Sequence, residues 1–112
     1  MTLPLRTATD AERVAAEVVA HLRGGGLIAY PTETVYGLGS LARDAGLDAL
    51  AALKGRPPGK PFLLLVSDTE MLERTGLVLN AHARALAREF WPGALTLVLP
   101  GGEGSVPSRL RG

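Results

Sequence analysis

With 112 residues and a formal net charge of +1, the chain has the size of one domain and lacks the charge excess of a strong polyanion binder. It contains no cysteine, which excludes disulfides, thiol catalysis and thiolate metal sites. No apolar run approaches the ~20 residues of a membrane span, and the N-terminus lacks a signal pattern, so we expect a cytoplasmic protein that does not enter a membrane.

The first part of the chain predicts a helix followed by a strand. Apolar residues recur at helical spacing over residues 10–23, and Thr9 and Glu12 match a capping box at the start of this helix. After a glycine turn, residues 27–30 predict a short buried strand, which Pro31 ends.

The middle of the chain predicts a second helix and a second strand. Asp44 is expected to cap this helix, and its buried face consists of Leu47, Leu50 and Ala51. Residues 62–66 form a continuous apolar run, which is typical of a strand covered on both faces.

The last part predicts two more helices and a third strand. A short helix spans residues 68–74, a longer one begins near Asn80, and a strand follows over residues 95–99. The apolar stripe of the longer helix consists of Ala83, Leu86, Ala87 and Phe90. Because helices alternate with buried strands, we predict an α/β fold in which a twisted mixed sheet with crossover connections is flanked by helices.

Polar segments stand next to the predicted strands, where ligands bind in open α/β sheets. They are YPTETVYGLGS (30–40), KGRPPGKP (54–61) and WPGALT (91–96). The second is the most informative, because Lys54 and Lys60 are the only lysines in a chain with ten arginines, and Arg56 lies between them. A planar guanidinium and compact ammonium groups together suit a polyphosphate beside a carboxylate. The alternative is a solvated basic turn.

The segment YPTETVYGLGS also has two interpretations. A proline-stiffened loop can present threonine hydroxyls and backbone amides to a polar ligand, with Gly37 and Gly39 allowing the ligand to approach closely. The alternative is an ordinary turn, in which Thr32 and Thr34 satisfy the backbone while Tyr36 packs.

These segments, in this order and spacing, resemble the YrdC-like threonylcarbamoyl-AMP synthases from about residue 10 to residue 112. The resemblance implies a single YrdC-like domain over residues 1–112 that converts L-threonine, bicarbonate and ATP into threonylcarbamoyl-AMP and pyrophosphate. Mg²⁺ would accompany ATP, which is a substrate here. A separate tRNA-modifying transferase complex would then move the threonylcarbamoyl group to an adenosine of tRNA.

The resemblance also assigns roles to individual side chains. Thr32 would contact threonine or its carbamate, while Lys54 and Arg56 would hold phosphates and the threonine carboxylate. Lys60 would add positive potential, and Thr96 would contact the nucleotide. No covalent catalytic residue and no protein-held metal is expected.

Members of this family continue past the length of this chain, with an arginine-containing strand and a Ser-x-x-Asn type motif that complete the nucleotide site. We therefore expect a domain truncated at its C-terminus. A sheet cut there would expose an unpaired edge, so the chain is expected to be a fragment or to self-associate as a homodimer, with weak or absent synthase activity.

Two other functions stay open. One is a double-stranded RNA or tRNA-binding module of the same fold. The net charge of +1 and the small number of aromatic residues argue against this function. The other is a carbamoyl-adenylate-handling domain, as in hydrogenase maturation proteins, whose acylphosphatase and zinc-finger parts are absent here.

Overall fold

The structure is a computed structural model that describes residues 1–55, 57 and 60–111. Its elements in chain order are α1 (Ala8–Arg23), β1 (Ile28–Tyr30), β2 (Gly37–Gly39), α2 (Asp44–Lys54), α3 (Thr69–Arg74), α4 (Ala81–Phe90) and a 3₁₀ helix (Ser108–Leu110). This is an α/β fold with a small antiparallel sheet and flanking helices, which confirms the predicted class. The chain divides into two units, Met1–Pro58 and Gly59–Gly112.

Helix α1 begins two residues earlier than the sequence pattern predicts. Thr7 is the N-cap: its hydroxyl accepts a hydrogen bond from the Asp10 amide at 3.1 Å, and the Asp10 carboxylate accepts one from the Thr7 amide at 3.2 Å. The predicted pair of Thr9 and Glu12 is therefore wrong, because the shorter carboxylate of Asp10 closes the same reciprocal box. The predicted C-terminal end of the helix is confirmed, since α1 ends at Arg23.

We expect Thr7→Ala to lower the free energy of unfolding by about 0.5–2 kcal/mol, because an orphan amide of the first turn loses its acceptor. Thr9→Ala, which changes a residue inside the first turn, should leave this free energy nearly unchanged. Urea denaturation of both variants, followed by helical circular dichroism, makes the comparison. A larger loss in Thr9→Ala would restore the original capping assignment.

The sheet is a two-stranded antiparallel pair in which Ile28 faces Gly39 and Tyr30 faces Gly37. Strand β2 lies inside the segment that we predicted to be a loop. The sequence Gly-Leu-Gly has low strand propensity, so it did not indicate a strand. The prediction of a crossover connection is wrong here, because residues 31–36 join β1 and β2 as an antiparallel pair. Strand β1 is partly exposed and not fully buried.

Helix α2 carries the main buried face of the first unit. Leu47, Leu50 and Ala51 are buried, as the spacing predicts. The predicted cap is wrong: the N-cap is Arg43, no side chain caps this end, and Asp44 is the first helical residue, where its charge favours the helix dipole.

The second unit is built around a cluster of Leu72, Leu79 and Ala83. Helices α3 and α4 position this cluster, and each begins after a capping side chain, Asp68 and Asn80 respectively, close to the predicted positions. Partly buried side chains pack against it, namely Val66, Leu77, Trp91, Leu97 and Leu99. The predicted stripe of α4 is only half buried, because Ala83 and Ala87 are buried whereas Leu86 and Phe90 are exposed.

The other two predicted strands, residues 62–66 and 95–99, are wrong as strands. Their side chains alternate between half-buried and exposed, as in a strand, yet among the described residues neither segment belongs to a sheet. Among the described residues, no backbone hydrogen bond joins positions 63–66 or 96–99 to the rest of the chain. The Phe62 amide donates to the Arg109 carbonyl at 3.0 Å, but a strand requires a ladder of such bonds along its length.

Candidate functional site

The turn between β1 and β2 is organised around the Thr32 hydroxyl. This hydroxyl donates to the Val35 carbonyl, accepts from the Thr34 amide at 3.3 Å, and lies 3.4 Å from the Thr34 hydroxyl. A hydroxyl has one proton, so in this arrangement Thr32 can accept from a ligand but cannot donate to one. Donation to a carboxylate or carbamate oxygen requires the hydroxyl to turn away from Val35.

The glycines of β2 accommodate an aromatic ring of the same sheet. A Cβ atom at Gly39 would lie 2.8 Å from the Tyr30 ring, and one at Gly37 would lie 3.2 Å from it. These glycines therefore let Tyr30 lie across the strand pair. Tyr36 is 78% exposed, so the part of the turn interpretation in which Tyr36 packs is wrong.

The basic segment is described in part. Lys54 is the last residue of α2, exposed, at the helix end where a cation is favoured by the dipole. Gly55 ends the helix in the left-handed conformation, with φ of 62°. Lys60 is exposed, and Arg56 lies outside the described residues. The ligand contacts of these three cations stay predictions.

The third polar segment is anchored by its tryptophan. Trp91 is half-buried against the core cluster, and its indole nitrogen donates to the Leu95 carbonyl at 2.8 Å. Thr96, the next residue, is exposed. Its contact with a nucleotide stays a prediction. Thr32 and Lys54 belong to the first unit, whereas Lys60 and Thr96 belong to the second.

The second unit contains a cavity of about 210 Å³ that sequence reasoning missed. Its lining residues are Val66, Ser67, Asp68, Thr69, Trp91 and Pro92. The Asp68 carboxylate accepts hydrogen bonds from the Met71 amide at 2.7 Å and from the Ser67 hydroxyl at 3.2 Å. The bond from the Met71 amide is the main cause that holds the pKa of Asp68 below its ordinary value.

A pH dependence follows from this cap. Because the pKa of Asp68 is lower in the folded protein than in the unfolded chain, its contribution to stability is full above the unfolded pKa and is lost as the pH falls through the folded pKa. We expect Asp68→Asn to destabilise the protein at pH 7 and to differ less from the parent near pH 3.

Thermal unfolding at both pH values measures this effect. The control is Asn80→Ala, which removes the neutral side-chain cap of α4, where the Asn80 amide oxygen accepts from the Ala83 amide at 2.9 Å. Its effect on the melting temperature should not depend on pH in this range. An Asp68→Asn effect of equal size at both pH values would contradict the assignment.

A further cavity, of about 230 Å³, lies in the first unit beside the glycine turn after α1. Its lining includes Arg23 and Arg43. Among the described residues, neither guanidinium takes part in an ion pair. Of the predicted contacts that lie among the described residues, namely Thr32, Lys54, Lys60 and Thr96, none lines either cavity.

The described residues contain no group of three His, Asp or Glu side chains that could hold a metal ion. None of the described helices combines the length and the apolar character needed to cross a membrane.

Comparison with known proteins gives consistent results. The Sua5/YciO/YrdC family model, described as telomere recombination, matches residues 20–112. Threonylcarbamoyl-AMP synthase of Nitrosococcus oceani is 44% identical over 101 residues, which are 89% of this chain and 52% of that protein. The synthase of Chromohalobacter salexigens is 46% identical over 91 residues, or 80% of this chain and 49% of that protein. The chain thus spans about half the length of these relatives.

A solved structure also resembles the chain. The crystal structure of Pyrococcus abyssi Sua5 complexed with L-threonine superposes with a TM-score of 0.79 at 38% sequence identity. The superposition covers 95% of this chain and 30% of the P. abyssi chain. The backbone of this chain therefore follows a path also found within a chain about three times as long.

Proposed function

We propose, from the premise that this chain belongs to the Sua5/YciO/YrdC family, that it serves in forming threonylcarbamoyl-AMP from L-threonine, bicarbonate and ATP. The observation that carries the proposal is the match of most of this chain to proteins named threonylcarbamoyl-AMP synthase. A structural neighbour that was crystallised with L-threonine supports threonine as the amino-acid substrate.

In the proposed reaction the threonine amine attacks the carbon of bicarbonate, and loss of water leaves a carbamate. A carbamate oxygen then attacks the α-phosphorus of ATP. The bond from that phosphorus to the bridging oxygen breaks, and its electron pair leaves with pyrophosphate. Positioning and charge neutralisation can supply much of the acceleration of such a displacement, so no covalent protein nucleophile is needed.

The side chains take the following proposed roles. Lys54 and Arg56 hold the phosphates and the threonine carboxylate, and Lys60 raises the positive potential around the leaving pyrophosphate. Thr96 contacts the nucleotide. Thr32 contacts threonine or the carbamate after its hydroxyl turns from the Val35 carbonyl, which it binds in this structure.

Mg²⁺ enters the proposal only as the counterion of ATP. The described residues present no carboxylate cluster that would fit a protein-held ion, and we assign no step to the metal. We propose that the product passes to a tRNA-modifying transferase complex and that the protein acts in the cytoplasm.

Calorimetry with L-threonine, L-serine and ATP tests the proposal. L-threonine should bind more tightly than L-serine, since one methyl group in a fitted pocket is worth about 1–3 kcal/mol. Thr32→Val, which removes the hydroxyl and keeps the side-chain shape, should weaken the binding of L-threonine. The control is Thr34→Val, which alters the same turn without removing the proposed contact. Equal affinity for the two amino acids, or equal losses in the two variants, would count against this pocket.

A further inference from the structure

The side chain of Tyr30 occupies the face of the sheet that the two glycines of β2 leave open. Its Cε2 atom lies 3.3 Å from the position that a Cβ atom would take at Gly37. Its Cε1 atom lies only 2.8 Å from the corresponding position at Gly39. Carbon atoms in contact are normally about 3.5–4.0 Å apart, so a larger residue at Gly39 would displace the ring. The Tyr30 ring therefore spans both glycines.

Neither glycine is required by its backbone conformation. The φ angles of Gly37 and Gly39 lie outside the left-handed region in which glycine is favoured, and both residues belong to a regular antiparallel strand pair. Because alternate residues of a strand share a face, the two glycines together clear one side of β2. What these glycines provide is space, and the Tyr30 ring fills it.

Tyr30 lies where the strand pair meets the turn. It is the last residue of β1, and it faces Gly37, the first residue of β2. The pair is only three residues long, and β2 carries a single side chain, that of Leu38. A short two-stranded pair is marginally stable by itself, so side-chain contacts across it have a large share in fixing its geometry. The Tyr30 ring makes such a contact at the end of the pair that leads into Thr32.

We propose that Tyr30 is a positioning residue for Thr32. The ring fixes the separation of the two strands at Tyr30 and Gly37, and the residues between these two form the turn that carries Thr32. The Thr32 hydroxyl is held within this turn by the Thr34 amide and the Val35 carbonyl, so its place depends on where the turn begins and ends. The consequence rests on the proposed function: through Thr32, Tyr30 supports the binding of L-threonine.

The first part of the test uses no ligand. In nuclear magnetic resonance spectra of the chain, the Tyr30 ring protons should show Overhauser contacts with the α protons of both β2 glycines. The Thr34 amide proton should show one with the Thr32 side chain, here called the turn contact. Tyr30→Ala should abolish the turn contact, whereas Tyr30→Phe, which keeps the ring, should retain it. A turn contact that persists in Tyr30→Ala would overturn the proposal.

The second part measures binding by calorimetry. Tyr30→Ala should weaken the binding of L-threonine at least about tenfold, as expected for the loss of one hydrogen bond to a charged ligand, and should change the affinity for ATP less than about twofold. Tyr30→Phe should bind both ligands like the parent. Gly39→Ala should also weaken the binding of L-threonine, because its Cβ atom displaces the ring while Tyr30 itself is unchanged. Equal losses for ATP and L-threonine, or no rescue by phenylalanine, would overturn the proposal.

The matched control is Leu38→Ala. Leu38 lies between the two glycines but faces the other side of the sheet, where it is paired with Ala29. This variant should keep the turn contact and bind L-threonine like the parent, and a loss equal to that of Tyr30→Ala would contradict the role of the ring. If helical circular dichroism shows that Tyr30→Ala is unfolded, Gly39→Ala serves in both parts of the test.

Failure of the proposed function would be recognised separately. A parent chain that shows the turn contact but binds no L-threonine would refute the proposed function. The ligand-free spectra of the same variants would still decide whether Tyr30 positions Thr32.

Discussion

Lys54→Ala should weaken ATP binding by about 10- to 100-fold while leaving the free energy of unfolding nearly unchanged. A hydrogen bond to a charged group is worth about 1.5–3 kcal/mol, whereas an exposed lysine at a helix end contributes little to folding. Lys54→Arg should also weaken ATP binding, because a planar guanidinium group does not reproduce the contact of a compact ammonium group. Calorimetry with ATP and urea denaturation give the two quantities.

The matched control for Lys54 is Arg88→Ala. Arg88 is the basic residue in the last turn of α4, as Lys54 is in the last turn of α2, so both changes remove a cation that favours the helix dipole. Arg88→Ala should bind ATP like the parent. If both Lys54 variants also bound ATP like the parent, the solvated-turn interpretation of the basic segment would be correct.

Leu72→Ala should lower the free energy of unfolding by about 2–5 kcal/mol, the largest effect on stability that we expect. Leu72 is 3% exposed at the centre of the core cluster of the second unit, so its removal leaves a cavity that neighbouring side chains fill only in part. Val98→Ala, at a side chain that is 98% exposed, should change the free energy of unfolding by less than about 0.5 kcal/mol.

Tryptophan fluorescence can follow this unfolding, since Trp91 is the only tryptophan and packs against the same cluster. Comparable losses in Leu72→Ala and Val98→Ala would mean that the core of this unit is placed incorrectly.

Helices were predictable because their signals are local. The helix positions near Asp68 and Asn80, and the spacing of Leu47, Leu50 and Ala51, follow from patterns within a few residues of chain. The capping box of α1 was assigned wrongly for a local reason as well. A capping box usually has glutamate at its third helical position, and in α1 this position is Asp10.

Strands were less predictable because a strand depends on its partner. The apolar run 62–66 has the composition of a covered strand. The Phe62 amide donates to the Arg109 carbonyl, but among the described residues no backbone hydrogen bond joins positions 63–66 to another segment. Conversely, β2 has weak strand propensity and forms a strand because Tyr30 and the rest of β1 lie opposite.

The sequence predicted the family of the protein, but it did not predict the geometry of the candidate site. Motif spacing indicated the family, which the comparisons confirm. The hydrogen bonds that hold the Thr32 hydroxyl within its turn depend on a loop conformation that residue types leave open. The cavity at Asp68 could not be predicted because residues distant in the sequence line it together.

Exchange of labelled pyrophosphate into ATP tests the central claim most directly. It should be measured on this chain and on the same chain joined to the part of the N. oceani synthase that the match does not cover. We expect the extended chain to show exchange that requires both L-threonine and bicarbonate and is lost in Lys54→Ala, with weak or no exchange from the 112-residue chain alone. Exchange that persists without L-threonine, or none from a folded extended chain that binds both substrates, would contradict the account.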